Sequence, residues 1–199
     1  MNRSDVTSKA SSFIKYWGNP NQFTKWYCKD NKIHAWCGMF VKYVFKKSLK
    51  CEWLDKCSNF AYVPTIVSWA KKQKYWNSDY RKAKEGDLVI YNWKPSEKHY
   101  SHVGIVKLVK GNTITSIEGN TTSGVRKNCV AKKNRNKKYV AGVILLPFVN
   151  EIIYIVKKGD TLTKIAKKYN TTWKKIYEKN KKTIGSNPNL IKVGMKLVI

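Results

Sequence analysis

The sequence predicts an α+β domain followed by a small β-α-α-β domain, and three observations point there. Apolar residues recur at helical spacing before Arg81, and short apolar runs between Gly and Asn turns follow Gly86. Beyond Pro147 a separate strand–helix–helix–strand order begins. Helices first and strands later describe α+β organisation. A chain of 199 residues with 42% hydrophobic and 13% aromatic residues can bury a core in each of two domains, which excludes a disordered chain.

Residues 11–16 are a short helix candidate, closed by the turn residues Gly18, Asn19 and Pro20. From Ala35, the apolar residues Phe40, Val41, Val44 and Phe45 alternate with Lys42, Lys46 and Lys47, so Cys37 falls in the first turn of an amphipathic helix. Residues 65–75, just after Pro64, form the next helix. Strands are expected over 88–91, 102–109, 112–117 and 139–146, antiparallel because turn residues separate them, with 132–138 as a basic loop or hairpin tip. Pro147 and Asn150 mark the boundary, giving domains 1–149 and 151–199. In the second, strand 153–156 leads to helix 161–169, with Asp160 as N-cap and Leu162, Ile165 and Ala166 as its buried face. Helix 172–180 and strand 196–199 follow.

Forty Lys plus Arg against twelve Asp plus Glu give a net charge of +28, a field that concentrates anionic partners. Residues 151–199 hold twelve Lys and three acids, so both domains are basic. Nucleic acid would satisfy the charge, but no helix-turn-helix, zinc-finger or aromatic RNA-binding signature accompanies it, and no specific nucleic acid is expected. The five cysteines, Cys28, Cys37, Cys51, Cys57 and Cys129, are an odd number, which leaves at least one thiol free; Cys51 and Cys57 are as well placed to pair as to stay reduced. No signal peptide and no membrane span are expected from the apolar runs.

Four residues carry chemistry. Cys37 stands at a turn-to-helix junction, His102 at a strand start, and Glu118 with Asn120 in a later strand. A thiol becomes a strong nucleophile only as thiolate; an imidazole can take its proton, and a carboxylate or carboxamide can hold the imidazole in the useful tautomer. Either Glu118 or Asn120 can orient His102. His99, in a lysine-flanked loop, is set aside. Each residue alone is more simply structural, and only the conjunction argues for a nucleophilic site. A non-catalytic wall-binding protein and a basic nucleic-acid-associated protein are the rival readings.

Trp36-Cys37-Gly38-Met39-Phe40-Val41, Gly86-Asp87-Leu88-Val89, Ser101-His102-Val103-Gly104-Ile105-Val106 and Glu118-Gly119-Asn120 together resemble the CHAP family (cysteine, histidine-dependent amidohydrolase/peptidase), whose fold is papain-like. The resemblance covers roughly residues 10–149. It implies that Cys37 is the nucleophile, His102 the base and then acid, Glu118 the orienter, and Asn120 a further polar support. Beside Cys37, His34 and Trp36 are candidates to line the substrate groove, with core packing the simpler use of Trp36. Some members carry calcium just ahead of the cysteine; between Tyr27 and Cys37 only Asp30 offers a carboxylate, so no metal and no cofactor are expected.

Residues 153–162 and 187–197 resemble the opening and close of a LysM module. That resemblance implies binding of N-acetylglucosamine polymers by Gly159, Asp160, Thr161, Leu162, Asn189, Leu190 and Ile191. The two resemblances together imply a monomeric peptidoglycan hydrolase of the phage-endolysin kind, held in the host cytoplasm until released to the wall, or else an extracellular wall enzyme. Teichoic acids would be further anionic partners. They leave open whether the muramoyl–L-alanine amide or a peptide bond is cut.

Overall fold

The computed structural model describes residues 1–97, 99–148 and 152–199. The chain divides into two compact units, Met1–Phe148 and Val149–Ile199. The boundary expected at residues 149–151 lies outside the described residues.

The first unit opens with helix α1 (Arg3–Ser11), earlier than the helix expected over 11–16, where the chain instead turns. Asn2 and Asp5 form a reciprocal cap at its start, which compensates for its weak apolar face. A second helix absent from the sequence expectation, α2 (Gln22–Cys28), begins with the same device on Asn21 and Thr24. Helix α3 (Cys37–Lys42) runs directly into a π-helical turn, Tyr43–Ser48, and α4 (Val63–Lys72) takes Pro64 into its first turn and ends before Tyr75, a little earlier at both ends than the helix expected over 65–75.

Six antiparallel strands follow: β1 (Trp76–Asn77), β2 (Leu88–Tyr91), β3 (His102–Lys110), β4 (Thr113–Ser123), β5 (Arg126–Asn136) and β6 (Val140–Ile144), in the order β1-β6-β2-β3-β4-β5. Residues 132–136, expected as a loop, extend the long β4–β5 hairpin, with Thr113 opposite Asn136 and Ser123 opposite Arg126. Ladder pairing here overrides the polar composition that suggested a loop. Alternation along β2 sends Leu88 and Ile90 into the core shared with α1 to α4, and Val89 and Tyr91 into a smaller cluster on the opposite face. Asp87 accepts bonds from the backbone N–H groups of Lys84 and Leu146, and pairs with Arg3 at 2.9 Å, tying α1 to the sheet.

The second unit pairs β7 (Ile153–Ile155) with β8 (Lys196–Val198) around α5 (Leu162–Lys168) and α6 (Trp173–Ile184). The N-cap of α5 is Thr161 rather than Asp160, because Asp160 Oδ2 accepts from the Tyr154 hydroxyl and the Lys157 N–H instead. Buried Asn180 bonds Val198 N and O, locking α6 to β8. Tyr154, Leu162, Ile165, Ile176 and Leu197 form the small core. Among the described residues no helix is long and apolar enough to cross a membrane.

Candidate active site

Cys37 is the first residue of α3, and two glycines let it sit against the sheet. A side chain at Gly38 would collide with the Phe60 carbonyl. A Cβ at Gly119 would lie 2.5 Å from Phe40 Cβ and 2.7 Å from Trp36 Cζ3. Glycine is the residue that permits such approaches. Gly119 therefore seats α3 on β4, and Gly38 lets the same helix lie against the backbone at Phe60.

Cys37 and His102 lie close enough for each group's charge to act on the other. Nε2 of His102 lies 3.2 Å from Glu118 Oε2, off the line of a straight N–H···O bond, so charge more than alignment carries that contact. Cys37, His102 and Glu118 are 4%, 6% and 0% exposed.

Glu118 is held from three sides. Arg135 donates from Nε to Oε1 at 3.0 Å and from Nη2 to Oε2 at 2.6 Å, a bidentate pair. Ser116 Oγ donates to Oε1 at 2.8 Å and is itself bonded to the Tyr91 hydroxyl. The Arg135 guanidinium also stacks over Trp93, 4.8 Å from its centroid, and Trp93 lies 5.6 Å from the His102 ring. Trp93 and Arg135 escape the sequence reading. The Arg135 ladder partner is Ile114, so its contact with Glu118 is made by side-chain reach and leaves no spacing signal.

Protonation follows from these contacts. Burial pushes the Cys37 thiol up, but the His102 charge and hydrogen bond, with backbone N–H groups at Val103 and Gly38, outweigh it and bring the thiol below its ordinary value. Burial disfavours the His102 cation, yet Cys37 and Glu118 together raise it to about 9. Burial also opposes the Glu118 charge, while His102 and Arg135 hold it down at about 2. The arrangement favours a thiolate–imidazolium pair backed by a carboxylate.

Beside His102 a cleft of about 530 Å³ is lined by Trp93, Asn120, Thr121, Thr122, Gly124, Lys133 and Arg135. Asn120 adopts a left-handed conformation, φ 55°, and among the described residues makes no side-chain bond to His102. Trp36 and His34 do not share this cleft. Trp36 is wholly buried and stacked on Phe23, which corrects its expected place on the groove wall: its flat ring serves the core. His34 faces Asp30, 2.9 Å from its Oδ1, rather than the groove as expected, because that carboxylate captures its ring. All five cysteines are free thiols.

In the second unit, a cleft of about 250 Å³ is lined by Asp160, Thr161, Leu162, Thr163, Trp173, Pro188, Asn189 and Ile191. Five of the expected residues meet there. Gly159 supplies the turn before it, with φ 84°, and Leu190 is exposed outside that lining. Trp173, at the start of α6 and 38% exposed, adds an aromatic face that sequence spacing did not single out.

A family model described as CHAP domain matches residues 16–120, and one described as LysM domain matches residues 154–199. No curated protein matches the chain. Among solved structures, the chain is similar to the crystal structure of a MoCVNH3 variant (Mo0v) in complex with (N-GlcNAc)4, at 17% identity and a TM-score of 0.24. That match covers 46% of this chain and 57% of the other, so the chain spans little more than half of it.

Proposed function

The chain belongs to the CHAP domain family and closes with a LysM domain, and from that premise we propose that it hydrolyses an amide bond of peptidoglycan while its LysM unit holds the wall. The observation that carries this reading is a buried thiol at the start of α3 together with a buried imidazole whose Nε2 lies 3.2 Å from a buried carboxylate. The Cys37 thiolate attacks the carbonyl carbon of a stem-peptide, cross-bridge or muramoyl–L-alanine amide. The tetrahedral intermediate collapses as His102 protonates the leaving amine, and the C–N bond breaks. Water then attacks the thioester, giving its proton to His102, and the new carboxylate leaves as the thiol re-forms. Glu118 keeps the ring oriented and stabilises its cation, and Arg135 keeps Glu118 in place.

LysM domains bind N-acetylglucosamine-containing glycans, and here Asp160, Thr161, Leu162, Asn189 and Ile191 with Trp173 form the cleft that fits such a ligand. Tethering raises the local concentration of a polymeric substrate, so modest affinity suffices. The charge of +28 draws the monomer to teichoic acids and other wall phosphates. The biological setting we propose is that of a phage endolysin, kept in the host cytoplasm until membrane lesions release it. Co-expression with and without a lesion-forming protein tests this: lysis in both cultures rejects it.

The activity is tested by incubating the full chain and its Cys37→Ala variant with purified peptidoglycan and reading the products by mass spectrometry. New amine and carboxyl termini should appear with Cys37 alone, and their position identifies the bond. Equal release by the variant overturns the mechanism.

A further inference from the structure

The segment leading from α2 towards Cys37 gathers three metal-binding side chains outside the site described above. A thiol sulfur of Cys28, a carboxylate oxygen of Asp30 and a ring nitrogen of His34 all lie within 4.8 Å of one another. The backbone arranges this meeting. Lys29, the C-cap of α2, turns the chain with φ 58° immediately after Cys28. Asn19 clamps His34, donating from Nδ2 to its carbonyl at 2.8 Å and accepting from its N–H at 3.4 Å. The His34 and Asp30 side chains are 28% and 35% exposed, so an ion can reach them from solvent.

Two features of the cluster ask for a ligand. Nε2 of His34 stands 2.9 and 3.2 Å from the two Asp30 oxygens, so nitrogen and carboxylate already converge. Among the described residues the Cys28 thiol bonds only the thioether of Met39, at 3.9 Å, a weak acceptor that leaves the sulfur's bonding capacity largely unused. Calcium takes about 6–8 oxygen ligands, and a single carboxylate cannot supply them. A thiolate, an imidazole and a carboxylate form instead a ligand set typical of zinc. Zinc bonds of about 2.0–2.3 Å in a tetrahedron place ligand atoms roughly 3.5 Å apart.

We propose that Cys28, Asp30 and His34 bind one zinc ion, with water as the fourth ligand. This zinc site departs from the expectation of no metal, which rested on the scarcity of oxygen donors over residues 27–37 and on the lack of a paired C-x-x-C spacing. The ion would staple the end of α2 to the irregular segment entering Cys37, and so stiffen the approach to the nucleophile. This inference does not depend on the catalytic reading, because neither its ligands nor its readout involves turnover.

The test uses the full chain carrying Cys37→Ala, so that the Cys37–His102 pair cannot compete for metal. After zinc loading and dialysis, elemental analysis should find one equivalent per chain, and cobalt in place of zinc should give a thiolate-to-cobalt charge-transfer band. Cys28→Ser and His34→Ala, each added to that background, should lose the band and at least tenfold in zinc affinity while keeping the far-ultraviolet dichroism of the parent. No retained metal overturns the proposal. So does a band or stoichiometry that survives both substitutions, or a preference for calcium.

Discussion

Replacing Arg135 with Gln should loosen the active site by an amount the structure lets us work out. Glu118 is wholly buried, and its carboxyl is brought down from 4.5 to about 2 against the burial that opposes it. At about 1.4 kcal/mol per pH unit, that displacement corresponds to roughly 3 kcal/mol of stability at neutral pH. Since the folded value is depressed, this stability is present above about pH 4.5 and is lost as pH falls towards 2. His102 and Arg135 share the work, so removing Arg135 should cost about 2 kcal/mol at pH 7. For a unit of this size that lowers Tm by about 4–8 °C. Urea denaturation followed by tryptophan fluorescence suits the measurement, because seven of the eight tryptophans lie in the first unit. The deficit should shrink as pH falls, once Glu118 is protonated in both proteins. Turnover should fall about tenfold or more, since a carboxylate freed from its fork can rotate away from Nε2. Arg135→Lys, which keeps the charge but not the fork, should recover part of both losses. An Arg135→Gln protein as stable as the wild type at pH 7, or one with the same deficit at every pH, would refute this account of the site.

Three further outcomes follow from the same geometry. The pH profile of kcat/KM should rise as Cys37 loses its proton, below the usual thiol range, and fall through about pH 9 as His102 loses its own; a rate still climbing past that point contradicts the ion-pair description. Gly119→Ala should cost roughly 1–3 kcal/mol by forcing a methyl group against Phe40 and Trp36, and activity should fall with it; unchanged melting would show that α3 and β4 are not held by that close approach. Trp173→Ala should weaken binding to N-acetylglucosamine polymer by roughly tenfold, the worth of one aromatic contact, while cleavage of small soluble muropeptides stays as it was; undiminished wall binding would remove Trp173 from the cleft's function.

What the sequence made legible was local. Cys37 at a helix start, His102 at a strand start and the second domain's element order all show as short-range patterns, and the structure places them there. Contacts made by reach were hidden. Arg135 lies in a Lys- and Asn-rich stretch that reads as a loop, and only pairing with β4 makes it a strand residue able to grip Glu118. Helices α1 and α2 were missed for a different reason: their apolar faces are weak or short, and their signal lay in the caps at Asn2 with Asp5 and Asn21 with Thr24. Trp36 misled because an aromatic beside a nucleophile suits a groove wall as well as a core, and only its burial against Phe23 and Gly119 decides between them.

The deeper point concerns burial. A thiol and an imidazole taken out of water separately would each stay neutral, the thiol raised and the imidazole lowered, and neither would do this chemistry at neutral pH. Cys37 and His102 are almost wholly buried and yet shifted the opposite way, because each is the other's counter-charge and Glu118 stands behind the ring. Glu118 in turn would not stay ionised in so dry a place beside His102 alone; the fork of Arg135 and the hydroxyl of Ser116 are its other supports. The protonation state of the nucleophile is thus a property of a chain of groups that runs from α3 across β3 and β4 to β5. Removing one member alters the charge on the next, so the costs of single substitutions along the chain should not add, and the double variant of Arg135 and Glu118 should lose little more than Glu118 alone.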